Sequence, residues 1–238
     1  MAGGYYTALS GMRTRTDALD RLASDIANAS TAGYKTERAG TSQADRPSFG
    51  ATLQSAVDVT NGESRMDLRP GALAPTGRAL DVAIQGSGFF AVQTRQGERY
   101  TRNGHLVRSG DGTLATDEGD TVLGANGPIK IGTGTVEVDA DGTVRESASI
   151  AGKLKVVDFG DQAKLVRDGG SRFRAESAPA VVEKPSIASG SLEQSNVSIV
   201  ERVAELTEVS RSFETLLRAV TVIMNDVDRG AITELGRK

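Results

Sequence analysis

Both ends of this chain carry apolar residues that recur at alternating intervals of four and three residues. Near the C-terminus the pattern is unbroken and comprises Ile199, Val203, Leu206, Ser210, Phe213, Leu217, Val220, Met224 and Val227. Near the N-terminus a weaker version comprises Tyr5, Leu9, Met12, Thr16, Leu19, Ala23 and Ile26. This spacing is typical of the seam of a coiled coil, where one helix faces another. The sequence therefore predicts two terminal helices that pack against each other or against copies of the chain.

Between residues 78 and about 190 the apolar residues instead recur with a period of two, which is typical of β-strands. Turn-forming dipeptides separate the strand candidates at Gln96-Gly97, Asn103-Gly104, Asp111-Gly112, Asn126-Gly127 and Asp141-Gly142. Asn-Gly and Asp-Gly between alternating runs are the strongest short-range signal for a β-hairpin. The middle of the chain is therefore predicted to be an antiparallel, meander-like β domain.

These patterns predict an α+β fold in which paired N- and C-terminal coiled-coil helices flank an inserted antiparallel β-rich domain. The predicted parts are an N-terminal helical region at 1–35, an extended linker-like segment at 36–77, the β-rich domain at 78–190 and a C-terminal helical region at 191–238. The first helix is expected at 5–29, with Asp20 and Asp25 on its outer face. The last helix is expected to begin at an N-cap in Ser195-Asn196 and to run to about residue 227. One short helix near 49–57 is expected in the linker-like segment.

The chain has 238 residues, and its composition excludes several classes of function. There is no cysteine, so a disulfide framework and a thiolate metal site are both excluded. The net charge is −3, whereas proteins that bind nucleic acid usually carry an excess of positive charge. The longest apolar runs, such as 82–84, are far shorter than a membrane-spanning helix. A cleavable signal peptide has a basic segment followed by an apolar segment, and the first residues contain neither, so we expect no such peptide.

Three motifs that suggest chemistry are better interpreted as parts of the β domain. Gly86-Ser87-Gly88 resembles a dinucleotide fingerprint, but alternating strand-like residues follow it where a phosphate-binding helix should begin. Asp139-Ala140-Asp141-Gly142 could open a calcium loop, yet its twelfth position is Ile150 instead of glutamate. His105 is the only histidine and is expected to be a partly exposed sheet residue. We therefore expect no enzymatic activity, no metal and no cofactor.

Four blocks of the sequence resemble the signatures of bacterial flagellar rod and hook proteins. Residues 24–35 (SDIANASTAGYK) resemble the motif that closes the N-terminal helix of that family, with Asp25 where asparagine is usual. Residues 76–90 (TGRALDVAIQGSGFF) and 100–104 (YTRNG) resemble its next two motifs. Residues 190–197 (GSLEQSNV), followed by 211–214 (RSFE), are similar to the entry of its C-terminal helix. The resemblance extends over nearly the whole chain.

This resemblance implies a structural subunit of the flagellar basal-body rod, located in the periplasmic space and polymerising with copies of itself and with other axial subunits. It also implies export through the flagellar type III apparatus without a cleaved signal. From the net charge and the short apolar runs we expect no binding of nucleic acid and no insertion into the membrane. The proximal rod subunit that carries a β domain is favoured, and the distal rod subunit is the alternative. A β-domain binding or adhesion module on a helical stalk is an alternative of another class. The predicted assembly interface consists of Leu9, Met12, Leu19, Ile26, Ile199, Val203, Leu206, Phe213, Leu217, Val220 and Met224.

Overall fold

The computed structural model describes residues 2–39, 64–147, 149–160 and 165–235. The chain divides into two compact units. Among the described residues, 2–27 and 198–235 belong to the helical unit, and 28–38 and those from 65 to 197 belong to the β unit. The short helix expected at 49–57 lies outside the described residues.

The helical unit contains the two predicted terminal helices, α1 (Ala2–Ala27) and α2 (Ile199–Leu235), which contact each other. After α1 the chain turns at Asn28, whose carbonyl accepts a hydrogen bond from the Thr31 amide at 3.0 Å. The first amide bond of α2 runs from Arg202 to the Ser198 carbonyl at 3.0 Å, so α2 begins three residues after the predicted Ser195-Asn196 cap. In the described part of the chain, neither helix is long and apolar enough to cross a membrane.

Strands account for most of the regular structure between the helices. Their bounds are β1 (Glu37–Ala39), β2 (Ser64–Met66), β3 (Leu73–Pro75), β4 (Val82–Ile84), β5 (Phe89–Thr94), β6 (Gly97–Thr101), β7 (Leu106–Arg108), β8 (Leu114–Thr116), β9 (Thr121–Gly124), β10 (Gly127–Pro128), β11 (Val136–Val138), β12 (Thr143–Glu146), β13 (Ser149–Lys153), β14 (Val156–Asp158), β15 (Leu165–Arg167), β16 (Arg172–Ala175), β17 (Ala180–Val181), β18 (Ile187–Ser189) and β19 (Ser191–Glu193). The α+β class predicted from sequence is confirmed. Three of these strands, β1 to β3, lie in the segment 36–77 that was predicted to be linker-like.

The largest sheet is antiparallel and has the strand order β15-β16-β6-β5-β9-β8-β7, with β10 paired to β9 and with β14 paired to β5 and β17. A smaller sheet has the order β11-β12-β13, and three strand pairs join β1 to β2, β4 to β18 and β3 to β19. The order differs from a simple meander because β5 pairs with both β6 and β9. Sequence-distant pairs such as β3 with β19 close the β unit where the chain leaves it.

Four of the five predicted hairpin turns are confirmed, and the fifth is wrong. The glycines at 97, 112, 127 and 142 have positive φ and lie where one strand turns into its paired neighbour, with Gly97 and Gly127 as the first residues of β6 and β10. Asn103-Gly104 joins no hairpin, because β7 pairs with β8 and β6 pairs with β5 and β16. A Cβ on Gly104 would lie 1.7 Å from the carbonyl oxygen of Val82, so this glycine permits a close backbone contact.

The core of the β unit consists of two clusters of buried apolar residues. The larger cluster includes Val82, Phe90, Leu106, Leu114 and Val144. The smaller cluster contains Phe89, Ala91, Tyr100, Val157 and Phe173. Alternate residues of β5 point into different clusters, since successive side chains of a strand lie on opposite faces. The β unit therefore packs apolar side chains on both faces of its central strand.

Candidate functional site

The half-buried residues of α2 define the face that is most withdrawn from solvent. Described residues at intervals of four and three form this stripe: Arg202, Leu206, Val209, Phe213, Leu216 and Val220. Arg15 of α1 donates from Nε to Ser212 Oγ at 2.8 Å. A Cβ on Gly11 would lie 3.5 Å from Cδ2 of Leu216, so α1 approaches α2 closely at this glycine. The helical contact thus combines apolar packing with a polar bond.

The predicted seam and the observed stripe share three residues, Leu206, Phe213 and Val220. At about 100° per residue, the centre of the observed stripe is turned by roughly 50° around α2 from the centre of the predicted seam. Leu9, Ile199, Val203 and Leu217 remain exposed, at 47%, 50%, 45% and 39%. The predicted residues that are half-buried are Met12, Leu19, Ile26, Leu206, Phe213 and Val220. Met224 lies in α2, and its side chain is outside the described part of the structure.

Asp25 is buried in the helical unit, so the prediction that it faces outward is wrong. Its Oδ2 lies 3.9 Å from Nε of Arg202, and Arg202 also donates from Nη1 to Glu205 Oε2 at 2.7 Å. A buried carboxylate requires such a charged neighbour, because removing an unpaired charge from water is costly. Periodicity placed Asp25 on the outer face because it carries no information about charge pairing between helices.

A cluster of buried charges lies in the β unit, and we call Lys35, Arg102 and Glu193 the buried junction. The three side chains are at most 2% exposed. Lys35 Nζ donates to Glu193 Oε1, and Arg102 Nη1 donates to Glu193 Oε2 at 2.9 Å. Backbone groups complete the arrangement: Lys35 Nζ donates to the Arg69 carbonyl at 2.8 Å, and the Gly71 amide donates to Glu193 Oε1 at 3.0 Å. One carboxylate therefore links two cations from distant parts of the chain.

Neighbouring backbone bonds attach the segment that follows α1 to the segment that precedes α2. The Gly33 amide donates to the Glu193 carbonyl at 2.8 Å. The Thr36 amide donates to Asn196 Oδ1 at 2.8 Å, and Asn196 Nδ2 donates to the Asp67 carbonyl at 2.8 Å. Gly33 has a φ of 69°, and a Cβ there would lie 2.3 Å from the backbone of Arg102. Within the β unit, both connecting segments are thus fixed to the same place.

Burial changes the pKa of both cations in the buried junction. It lowers the pKa of the Lys35 ammonium, while the hydrogen bond from Lys35 to Glu193 opposes that change. It also lowers the pKa of the Arg102 guanidinium, against the attraction of Glu193. No sequence pattern predicted this cluster, although each of its residues stands in a different block that resembles the flagellar family. Two of the blocks, 100–104 and 190–197, each contain a single charged residue, and this was the available signal.

The motifs that suggested chemistry have structural roles. Gly86-Ser87-Gly88 is followed directly by β5, and Ser87 Oγ donates to Asp158 Oδ2 at 2.7 Å. His105 is half-buried, with Nδ1 2.9 Å from Asp81 Oδ1 and Nε2 2.9 Å from Nη1 of Arg78. Over the described ranges, no group of three or more His, Asp or Glu residues is arranged to hold a metal ion. These residues stabilise turns and strand contacts.

Known proteins resemble this chain over its full length. Residues 83–146 match a family model described as the D1 domain of flagellar hook proteins FlgE/F/G, and residues 188–225 match one described as the C-terminal part of flagellar basal-body rod FlgEFG proteins. The chain is 34% identical to the flagellar basal-body rod protein FlgF of Caulobacter vibrioides, over 100% of this chain and 99% of that protein. It is 32% identical to FlgF of Escherichia coli, over 94% of this chain and 95% of the relative. It is 30% identical to the rod protein FlgG of Bacillus subtilis, over 93% and 95%.

Proposed function

Because the chain belongs to the flagellar basal-body rod protein family, it is a structural subunit of the rod, and we propose that it polymerises through its two terminal helices to form the axial drive shaft. In this proposal α1 and α2 pair as a coiled coil, and further helices from neighbouring subunits cover the rest of their apolar surface. The partners are copies of the chain and other axial subunits. The subunit has no catalytic role.

The observation that carries this proposal is the large apolar side chains that α1 and α2 leave exposed. Leu9, Ile199, Val203 and Leu217 belong to the predicted assembly interface, and each is at least 39% exposed. On α2 the three exposed members flank the half-buried stripe. Burying such a side chain from half exposure contributes roughly 1 kcal/mol. Every subunit of a polymer gains this free energy, so a few exposed apolar side chains on each subunit can stabilise the assembled rod.

We further propose a periplasmic location in the rod and export through the flagellar type III apparatus without a cleaved signal. Among the reported relatives, FlgF proteins are 32–34% identical and a FlgG protein is 30% identical. This difference favours a FlgF-type subunit, and the placement in the proximal rod remains a prediction. Rod proteins match the chain from end to end, which argues against a stalked binding module, since such a module needs no relation to axial proteins.

The test introduces a carboxylate on the exposed flank of α2. We expect Leu217→Asp to abolish swimming, because assembly would bury an unpaired charge at a cost of several kcal/mol in each subunit. The matched control is Ala219→Asp, an exposed position on the opposite side of the same helix, and it should swim. Normal swimming of the Leu217→Asp strain, with the variant present in its basal bodies, would contradict assembly through this flank.

A further inference from the structure

A groove of about 690 Å³ lies on the surface of the β unit, and we call it the arginine-rimmed groove. Its apolar lining is Met66, Leu68 and Phe89, which belong to or pack against the smaller core cluster. Its exposed lining includes Arg38, Arg65 and Arg69, and the side chains of Arg38 and Arg69 are 57% and 70% exposed. An apolar lining with a charged rim is suited to an amphipathic segment.

The groove carries an excess of positive charge. Four arginines and two aspartates line it, whereas the whole chain has a net charge of −3. Asp67 pairs with Arg38 at 3.1 Å and with Arg69 at 2.5 Å. Arg102, from the buried junction, also lines the groove, and among the described residues its Nε is buried without a hydrogen-bond partner. A partner segment with exposed carboxylates would complement this surface.

The outward face of the first three turns of α2 has the complementary chemistry. Val200 is 81% exposed, which makes it an unusually accessible apolar side chain. Glu201 and Glu208 are exposed and lie about 80–100° around the helix from Val200, on a face turned away from the half-buried stripe that begins at Arg202. Glu205 is also exposed, but it accepts a hydrogen bond from Arg202 at 2.7 Å. The face therefore presents one apolar anchor with two carboxylates.

We propose that the arginine-rimmed groove receives the first three turns of α2 from a second copy of the chain. Val200 contacts the apolar lining, and Glu201 and Glu208 face the arginines of the rim. This contact joins the β unit of one subunit to the helical unit of its neighbour. The proposal rests on the proposed function as a polymerising subunit, and it adds a second contact that does not use the exposed flank containing Leu217.

Cysteine cross-linking tests the contact directly, because the natural chain contains no cysteine. Full-length Arg69→Cys and Val200→Cys proteins are mixed under mild oxidation at a concentration where the unsubstituted chain assembles, so every disulfide that forms is intermolecular. The mixed disulfide is quantified apart from the disulfides between two copies of one variant. Val222→Cys replaces Val200→Cys in the control, since Val222 is also exposed on α2 at 58%. We expect at least fivefold more mixed disulfide with Val200→Cys than with Val222→Cys. Equal yields would overturn the proposal. A disulfide that forms only within single chains of an Arg69→Cys/Val200→Cys double variant would also overturn it.

Charge reversal separates this proposal from the proposed function. Arg65→Glu/Arg69→Glu should weaken self-association of the full-length chain at least tenfold in sedimentation velocity, and Glu201→Arg/Glu208→Arg in the same chain should restore it. The groove contact is overturned if Arg65→Glu/Arg69→Glu leaves self-association unchanged, or if adding Glu201→Arg/Glu208→Arg does not restore it. If Leu217→Asp still prevents assembly in that case, the proposed function stands. If the unsubstituted chain does not self-associate at any concentration, both proposals fail together.

Discussion

Arg102 Nη1 donates to Glu193 Oε2 at 2.9 Å, although the two residues are 91 positions apart in the chain. Both side chains are almost completely excluded from solvent. The same carboxylate accepts from Lys35, which follows α1, and Glu193 itself lies shortly before α2. The junction therefore ties both helix connections to the interior of the β unit. This arrangement explains why charged residues occupy buried positions in three separate sequence blocks.

Removing the shared carboxylate should destabilise the β unit strongly. Glu193→Gln leaves Lys35 and Arg102 buried without their counterion, and breaking a buried ion pair in this way typically costs about 3–5 kcal/mol. Urea unfolding followed by circular dichroism measures the free energy of unfolding. Glu201→Gln, at an exposed position of α2, is the control and should change it by less than about 0.5 kcal/mol. A loss below about 1 kcal/mol for Glu193→Gln would show that the junction is not a stabilising element.

A methyl group at Gly33 should be poorly tolerated. The added Cβ would lie 2.3 Å from the backbone of Arg102 and Asn103, and the residue has a φ of 69°. We expect Gly33→Ala to lower the free energy of unfolding by about 3 kcal/mol or more. Gly77→Ala is a matched control, because Gly77 has a φ of 75° and has nothing within 4 Å of an added Cβ. It should cost only about 1 kcal/mol for its backbone conformation. Equal losses in the two variants would rule out the steric explanation.

The Asp67 carboxylate should make the β unit sensitive to acid. The hydrogen bond from the Arg69 side chain lowers the pKa of Asp67 below its ordinary value of 3.8. Because the folded pKa lies below the unfolded pKa, the stabilisation is complete above pH 3.8 and is lost as the pH falls through the lower folded value. Asp67→Asn should therefore reduce the slope of stability against pH below about pH 4. The control Glu183→Gln, at an exposed position, should keep the slope of the unsubstituted protein below about pH 4. If Asp67→Asn also keeps that slope, Asp67 is not the source of the acid sensitivity.

Both terminal helices should be at least partly disordered in the dilute monomer and should become ordered on assembly. Their exposed apolar side chains lack partners in a single described chain, and isolated helices gain most of their stability from packing. Brief trypsin digestion should cleave first at exposed arginines of the helices, such as Arg13 and Arg211, and should leave a core within residues 65–197. Resistance of both ends in dilute full-length protein would contradict this prediction.

Local signals in the sequence were sufficient for the two terminal helices, for the β character of residues 78–190 and for most turns, but not for the strands β1 to β3. Asp111-Gly112, Asn126-Gly127 and Asp141-Gly142 lie at real hairpins because a glycine with positive φ suits the turn between paired strands. The same reasoning failed at Asn103-Gly104, where the glycine is required by a neighbouring carbonyl and not by a turn. Such a contact depends on Val82, which lies in β4 and is 22 positions away in the chain, and therefore leaves no local signal.

The helical face could be predicted only approximately for a related reason. The apolar spacing located α2 and found Leu206, Phe213 and Val220, but it assumed that charged residues lie outside the contact. Arg202 lies near the buried Asp25, and Arg15 donates to Ser212. These polar contacts depend on which residues of α1 and α2 face each other, and the spacing within one helix does not contain that information.

A cryo-EM map of isolated basal bodies would test the central claim most directly, namely that the terminal helices join neighbouring subunits. In the assembled rod, Leu9, Ile199, Val203 and Leu217 should be buried against helices of adjacent subunits, with α1 and α2 forming the axial layer. A map in which these four side chains remain exposed, while β units alone make the contacts between subunits, would contradict the account.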